Sequence, residues 1–173
     1  MVVRDDLCYR VTARIETITA MKITEALFAE HQVFHNVFDH IEAVAPQLKT
    51  LAEIKVLAGL MMSLLKAHSD TEDNLFIGPM EHCFEQIGQR ETFHQEHVEI
   101  DESLHRVQRA RQLKEARRLL LAAVAYSRRH FDHEERIVFP MAERVMKKET
   151  LRELGQVWMD QRTRVVAEPV AAS

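Results

Sequence analysis

Two stretches decide the reading: HSDTEDNLFIGPM (residues 68–80) and HFDHEERIVFPM (residues 130–141). Each opens on a His, with an Asp two positions on, a Glu four on, a second acid five on and an aliphatic residue seven on. Each closes on Pro-Met after a one-residue offset. Upstream of each lies a Glu-His pair. Glu30-His31 places His31 37 positions before His68, and Glu96-His97 places His97 33 positions before His130. The polar residues therefore repeat once along a chain whose apolar residues follow helical spacing.

Working outward, the i, i+3, i+4, i+7 pattern predicts a first helix from Thr24, as N-cap, to Ala45, with Leu27, Phe28, His31, Phe34, His35, Phe38 and Ile41 on one face. Pro46 closes it. A second helix is expected over Leu51 to Ile77, ended by Gly78-Pro79, and a third over Gln89 to Gln112. A fourth is expected over Lys114 to Phe139, with Pro140 breaking or kinking it before helix resumes from Met141 to Lys147. A shorter fifth is expected at 150–164. The expected fold class is all-α, an up-down-up-down four-helix bundle with a short C-terminal fifth helix. Residues 1–23 read as an N-terminal extension, 24–147 as the bundle, 148–165 as the C-terminal helix and 166–173 as a disordered tail.

Geometry then brings the repeated residues together. At about 1.5 Å per residue, His31 and His97 lie roughly 10–12 Å from the starts of their helices. His68 and His130 lie about 13 Å before the ends of theirs. In an antiparallel bundle all four fall in one layer, and Glu72 and Glu134, one turn on, share the inward face. Four imidazoles and two carboxylates in an apolar interior are costly without compensation. A metal supplies it, and imidazole plus carboxylate without thiolate suits iron, manganese or zinc. Two opposed carboxylates can bridge two ions with His at the outer positions.

Composition agrees and excludes alternatives. The 173 residues include 4 Gly and 4 Pro, too few turn formers for a many-stranded β protein. Only Cys8 and Cys83 are present, which removes a thiolate-rich zinc or iron–sulfur site. Two cysteines without motif context are expected as reduced thiols of a cytoplasmic protein. The first ten residues, MVVRDDLCYR, lack a signal-peptide core, and no apolar run suits a membrane span. A net charge of −4 argues against general nucleic-acid binding.

The Glu-His helix, His-x-x-x-Glu helix, second Glu-His helix and second His-x-x-x-Glu helix together resemble the hemerythrin-like, or HHE cation-binding, family over about residues 24–145. The resemblance implies a non-haem centre of two iron ions in a four-helix bundle. His31, His68, His97 and His130 would be terminal ligands, and Glu72 and Glu134 bridging carboxylates. Oxygen-carrying members have a His pair at i, i+4 on the third helix and an Asp five after the last His; here those positions are Asp101 and Glu135. The one such His pair here is His31 and His35, so the pseudo-two-fold admits His35 as a fifth ligand. The function implied is binding of, or reaction with, oxygen, nitric oxide or peroxide, in sensing, storage or stress response. The alternatives are an iron or zinc buffer without enzymatic activity, or a structural helical module. A ferritin-like oxidase would need Glu-x-x-His on two helices. Here Glu91-x-x-His94 and Glu102-x-x-His105 share the third.

Other features have plainer readings. Asp73 and Glu135 are expected outside the ligand set, and His40, His82, His105 and His133 at the surface or behind the site. Phe28, Phe34, Phe38, Phe76, Phe131 and Phe139 read as core, with a gas-access pocket as the sharper reading. The basic run 105–118 reads as a solvated helix hairpin, or else as a dock for an acidic partner.

Overall fold

A computed structural model describes residues 21–86 and 90–167, and their side chains except those of 83–94 and 164–167. The described residues are helical, with no strand among them. In chain order they form α1 (Ile23–Val44), α2 (Leu51–Glu72), a π-helical segment π1 (Asp73–Ile77), α3 (Gly78–Gln86), α4 (Arg90–Arg109), α5 (Leu113–His133), a second π segment π2 (Glu134–Val138), α6 (Phe139–Val145) and α7 (Lys148–Ala167). Most of the expected N-terminal extension and all of the tail beyond Ala167 lie outside the described residues.

The helix ends have local causes. α1 is capped at Lys22, whose backbone N–H donates to Glu25 at 2.9 Å. Thr24, expected as the N-cap, lies within the helix, and its hydroxyl donates to Glu143 of α6 at 2.8 Å. α2 starts on a reciprocal capping box: Thr50 Oγ1 accepts from the Glu53 N–H, and Glu53 accepts from the Thr50 N–H at 2.8 Å. α1 has no basic residue in its last turn. Arg117 of α5 serves its C-terminus instead, donating to the carbonyls of Ala45 at 2.8 Å and Leu48 at 2.7 Å.

Gly78-Pro79, expected to end the second helix, does not. The chain passes through π1 and continues helical as α3. Pro79 falls in the first turn after the π segment, just past its wider turn. Pro140 occupies the same place after π2.

Two apolar clusters flank one polar layer. Along α1, Ile23 and Leu27 belong to the smaller cluster, and Phe34, Phe38 and Ile41 to the larger. Along α2 the order reverses: Ile54, Met61 and Leu65 are in the larger cluster, and Phe76, Ile77 and Met80 beyond it in the smaller. α5 and the segments after it repeat that order, from Leu120 and Val124 of α5 to Val138 of π2 and Phe139 of α6. His31, His68, His130, Glu72 and Glu134 sit between the clusters and are at most 3% exposed. Phe28, expected on the inward face of the first helix, is instead about half exposed. α7 lies against α1 and π1. Its approach is set by Gly155, where a Cβ would stand 2.0 Å from the Met21 carbonyl oxygen.

Candidate metal centre

His31 comes from α1, His68 and Glu72 from α2, His97 from α4, His130 from α5 and Glu134 from the first position of π2. The structure brings all six into two groups that share both carboxylates: His31, His68, Glu72 and Glu134, and Glu72, His97, His130 and Glu134. Within each group one ligand atom per residue lies within 4.8 Å of the others. Glu72 turns Oε1 toward His68 Nε2 at 3.3 Å and Oε2 toward His97 Nε2 at 3.6 Å. Glu134 turns Oε2 toward His31 Nε2 at 3.3 Å and Oε1 toward His130 Nε2 at 3.5 Å. Each carboxylate thus presents one oxygen to each group.

The outward ring nitrogens are held by a set of carboxylates. His68 Nδ1 donates to Glu30 at 2.9 Å, His130 Nδ1 to Glu96 at 2.9 Å, and His31 Nδ1 to Glu135 at 3.0 Å. His97 Nδ1 lies 3.7 Å from Asp73. The arrangement crosses the repeat. The first Glu-His pair supplies His31, backed by the acid five after the second His, and the second pair supplies His97, beside the acid five after the first. Fixing the proton on Nδ1 leaves the Nε2 lone pair facing inward.

The inward faces test whether a cation fits. His31 Nε2 and His68 Nε2 stand 3.1 Å apart, and His97 Nε2 and His130 Nε2 2.9 Å apart. Where both Nδ1 atoms carry their protons, each of these pairs is two lone pairs face to face. All four oxygens of Glu72 and Glu134 are buried and lack a hydrogen-bond partner. Inward lone pairs and unpaired buried carboxylate oxygens are what a bound cation satisfies. The donor set fits two ions of the iron, manganese or zinc kind.

Charge in the site is distributed unevenly without a cation. Burial, ahead of repulsion from His68, pushes His31 down to about 3. Burial acts in the same direction on His68, but Glu72 and Glu30 outweigh it and raise this ring to about 9. Burial disfavours charge on both central carboxylates. His68 overcomes this at Glu72, which is held well below the usual range, whereas the charge on Glu72 adds to it at Glu134, which is held well above. The two carboxylates are thus driven in opposite directions, Glu72 toward the ionised form and Glu134 toward the protonated one.

His35 lies outside both groups. Its Nδ1 accepts from Arg128 at 3.2 Å, and its Nε2 stands 3.8 Å from Glu135, the carboxylate that holds His31. One turn beyond His31, the ring has passed the ligand layer and packs against Phe38 and Phe131. His40, His82 and His105 are exposed, as expected. His133 is half-buried and shares Glu96 with His130, at 3.1 Å. The side chains of Glu91 and His94 lie outside the described residues.

An apolar shell encloses the layer. Phe131 stacks on His31 with ring centres 3.9 Å apart, and Phe34 and Phe139 close on the same pair of histidines. Beside His68, His97 and His130 a cavity of about 10 Å³, walled by Leu65, Ile100 and Phe131 with Ser69 and Asp101, reaches the layer. It has room for about one water.

The match to a known family covers the second half of this arrangement. Residues 88–162 match the family model described as hemerythrin HHE cation binding domain. No curated protein and no solved structure matches it. The matched stretch contains His97, His130 and Glu134 and begins downstream of His31, His68 and Glu72. The first half, outside the match, repeats the polar residues of the second and mirrors their geometry. What the sequence reading left without a role is Glu30 and Glu96. The signal was there, since each is the acid of a repeated Glu-His pair.

Proposed function

We propose that this chain is a non-haem di-iron protein that binds or reacts with oxygen, nitric oxide or peroxide. The observation that supports it most is the sharing of Glu72 and Glu134 between two His pairs, one oxygen to each. In this reading His31 and His68 hold one ion, His97 and His130 the other, and Glu72 and Glu134 bridge them. Manganese or zinc suits the same donors. The helices alternate up-down-up-down, in keeping with the reversed order of the apolar clusters along α1 and α2.

Bound iron would supply redox chemistry and an exchangeable coordination position. The chain's own residues do the rest. Glu30, Glu96 and Glu135 keep protons on the outward ring nitrogens, so the inward ones stay available to a cation. Phe34, Phe131 and Phe139 keep bulk water away. The small cavity beside His68, His97 and His130 leaves room at the layer for only the smallest of ligands. A cytoplasmic setting accords with the two cysteines.

The test is anaerobic loading with iron, metal analysis, and absorbance spectra on exposure to oxygen, nitric oxide and hydrogen peroxide in turn. Two irons per chain with spectral changes on exposure support the proposal. Zinc alone with no spectral response would favour the metal-buffer reading, and a protein that takes no metal would leave a structural helical module. A His68→Ala variant is expected to lose at least one of the two irons, and retention of both would reject that ligand.

A further inference from the structure

The two halves of the centre are backed differently, and the difference involves a helix outside the repeat. Glu30, which holds His68 with Oε2 at 2.9 Å, accepts through Oε1 from Arg162 Nε of α7 at 2.7 Å. Its counterpart Glu96 holds His130, and its described partner on the outer side is His133, from the same helix as His130. One His is therefore backed through a permanently charged, planar guanidinium from a distant part of the chain. The other is backed through an imidazole one turn away.

We propose that Arg162 is a positioning residue for the His31–His68 half of the centre, so that docking of α7 and metal binding at that half are coupled. The inference rests on the di-iron reading above. Arg162 acts on Glu30 in two ways. Its charge draws the carboxylate into a fixed ion pair, and its Nε–H fixes which oxygen is left for His68. A held carboxylate orients the imidazole and raises the basicity of its far nitrogen. The far nitrogen of His68 is the one 3.3 Å from Glu72 and 3.1 Å from His31 Nε2. The path runs from α7 through α1 to α2 in two hydrogen bonds. Its outer end is anchored because Gly155, two turns before Arg162 on α7, lets that helix approach the backbone at Met21 and Lys22. Coupling is reciprocal, so an ion held by His68 also favours a docked α7.

α7 carries its own reporter. Trp158 is the sole tryptophan of the chain, and the Arg162 guanidinium lies over its ring, 5.7 Å from the centre. Zinc is a suitable probe because it has no redox chemistry. Calorimetric titration of metal-free protein with zinc, with Trp158 emission followed in parallel, is expected to show two ions, with the emission changing on filling of one site. In Arg162→Met one ion is expected to bind roughly 10–100-fold more weakly while the other is unchanged. Arg162→Lys should recover part of the loss. Glu30→Gln, nearly isosteric and away from α7, should weaken the same ion.

Two strong sites in Arg162→Met would overturn the inference and leave the di-iron reading standing. So would equal weakening of both sites without recovery in the lysine variant, or a Glu30→Gln protein that binds both ions normally. A wild-type chain that takes no ion would remove the di-iron reading itself, and the inference with it.

Discussion

At the scale of single residues, the centre is a contest between burial and charge that side chains in the surrounding shell resolve. Phe131 is the most connected of these. It is fully buried, stacks on His31, and packs against Phe34, Phe38 and both His68 and His130. Phe131→Ala is expected to cost about 3–5 kcal/mol, the range for large-to-small changes in a packed core. Chemical denaturation of the metal-free protein reads this directly, and a loss below about 1 kcal/mol would mean that the shell collapses to fill the space. The six residues of the two groups were legible in the sequence, because helical rise fixes depth and an i, i+4 pair fixes a face. The carboxylates behind them were not. Glu30 and Glu135 act across helices, on His68 and His31, and no spacing within one helix reveals such a partner. His35, admitted in the sequence as a fifth ligand, lies apart from the two groups. The i, i+4 rule places it on the face of His31, but one turn of rise carries it past the ligand layer to Arg128.

At the scale of elements, the informative features are the two π segments. π1 starts five residues after His68 and π2 four after His130, and each ends two residues before a proline. In each, the last hydrogen bond spans five residues, from the Gly78 N–H to Asp73 and from the Phe139 N–H to Glu134. The one-residue offset between the repeated stretches is therefore the offset between the starts of two wider turns. Sequence showed the offset and the prolines, but propensity favours breaking a helix at Gly-Pro. Only the packing of Phe76, Met80 and Phe139 into the smaller cluster shows why the chain stays helical. Wider turns of this kind often mark functional sites, and here they directly follow or contain the shared carboxylates. α7 gives the prediction at this scale. A methyl at residue 155 would overlap the Met21 carbonyl oxygen and crowd the Lys22 carbonyl carbon at 3.0 Å, both of them backbone atoms. Gly155→Ala is expected to destabilise by about 1–3 kcal/mol, despite the better helix propensity of alanine. Melting temperature together with Trp158 emission checks it, and a variant more stable than the parent would show that α7 sits further from α1 than described.

At the scale of the whole molecule, the buried ionisable layer sets how stability depends on pH before any metal binds. The ordinary pKa of His31 is 6.5 and its folded value about 3. Between these limits the unfolded chain takes up a proton that the fold refuses, so this group removes stability as pH falls below about 6.5. His130, also lowered chiefly by burial, acts in the same sense. His68 is opposite. Its folded value of about 9 means that the fold keeps a proton the unfolded chain has released, so stability falls as pH rises from 6.5 to about 9. Glu134, raised by burial and by Glu72, works against stability as pH climbs past its ordinary 4.5, where the two lowered histidines oppose it, while Glu72, held well below 4.5, adds to the acid loss below that value. The acid and alkaline losses meet near the ordinary histidine value, so the metal-stripped protein is expected to be most stable close to pH 6.5 and less stable on both sides. Cations change both sides, in opposite senses. Once Nε2 of His68 and the oxygens of Glu134 are held by ions, their protons are gone and there is nothing left to release. The loss toward pH 9 should then vanish, while the acid loss deepens because protons compete with metal for the imidazoles. Melting curves with and without chelator, from about pH 5 to about pH 9, separate the two cases. A chelated protein that gains stability steadily up to pH 9 would contradict the assignment of a proton to His68, and with it the division of charge between the two central carboxylates.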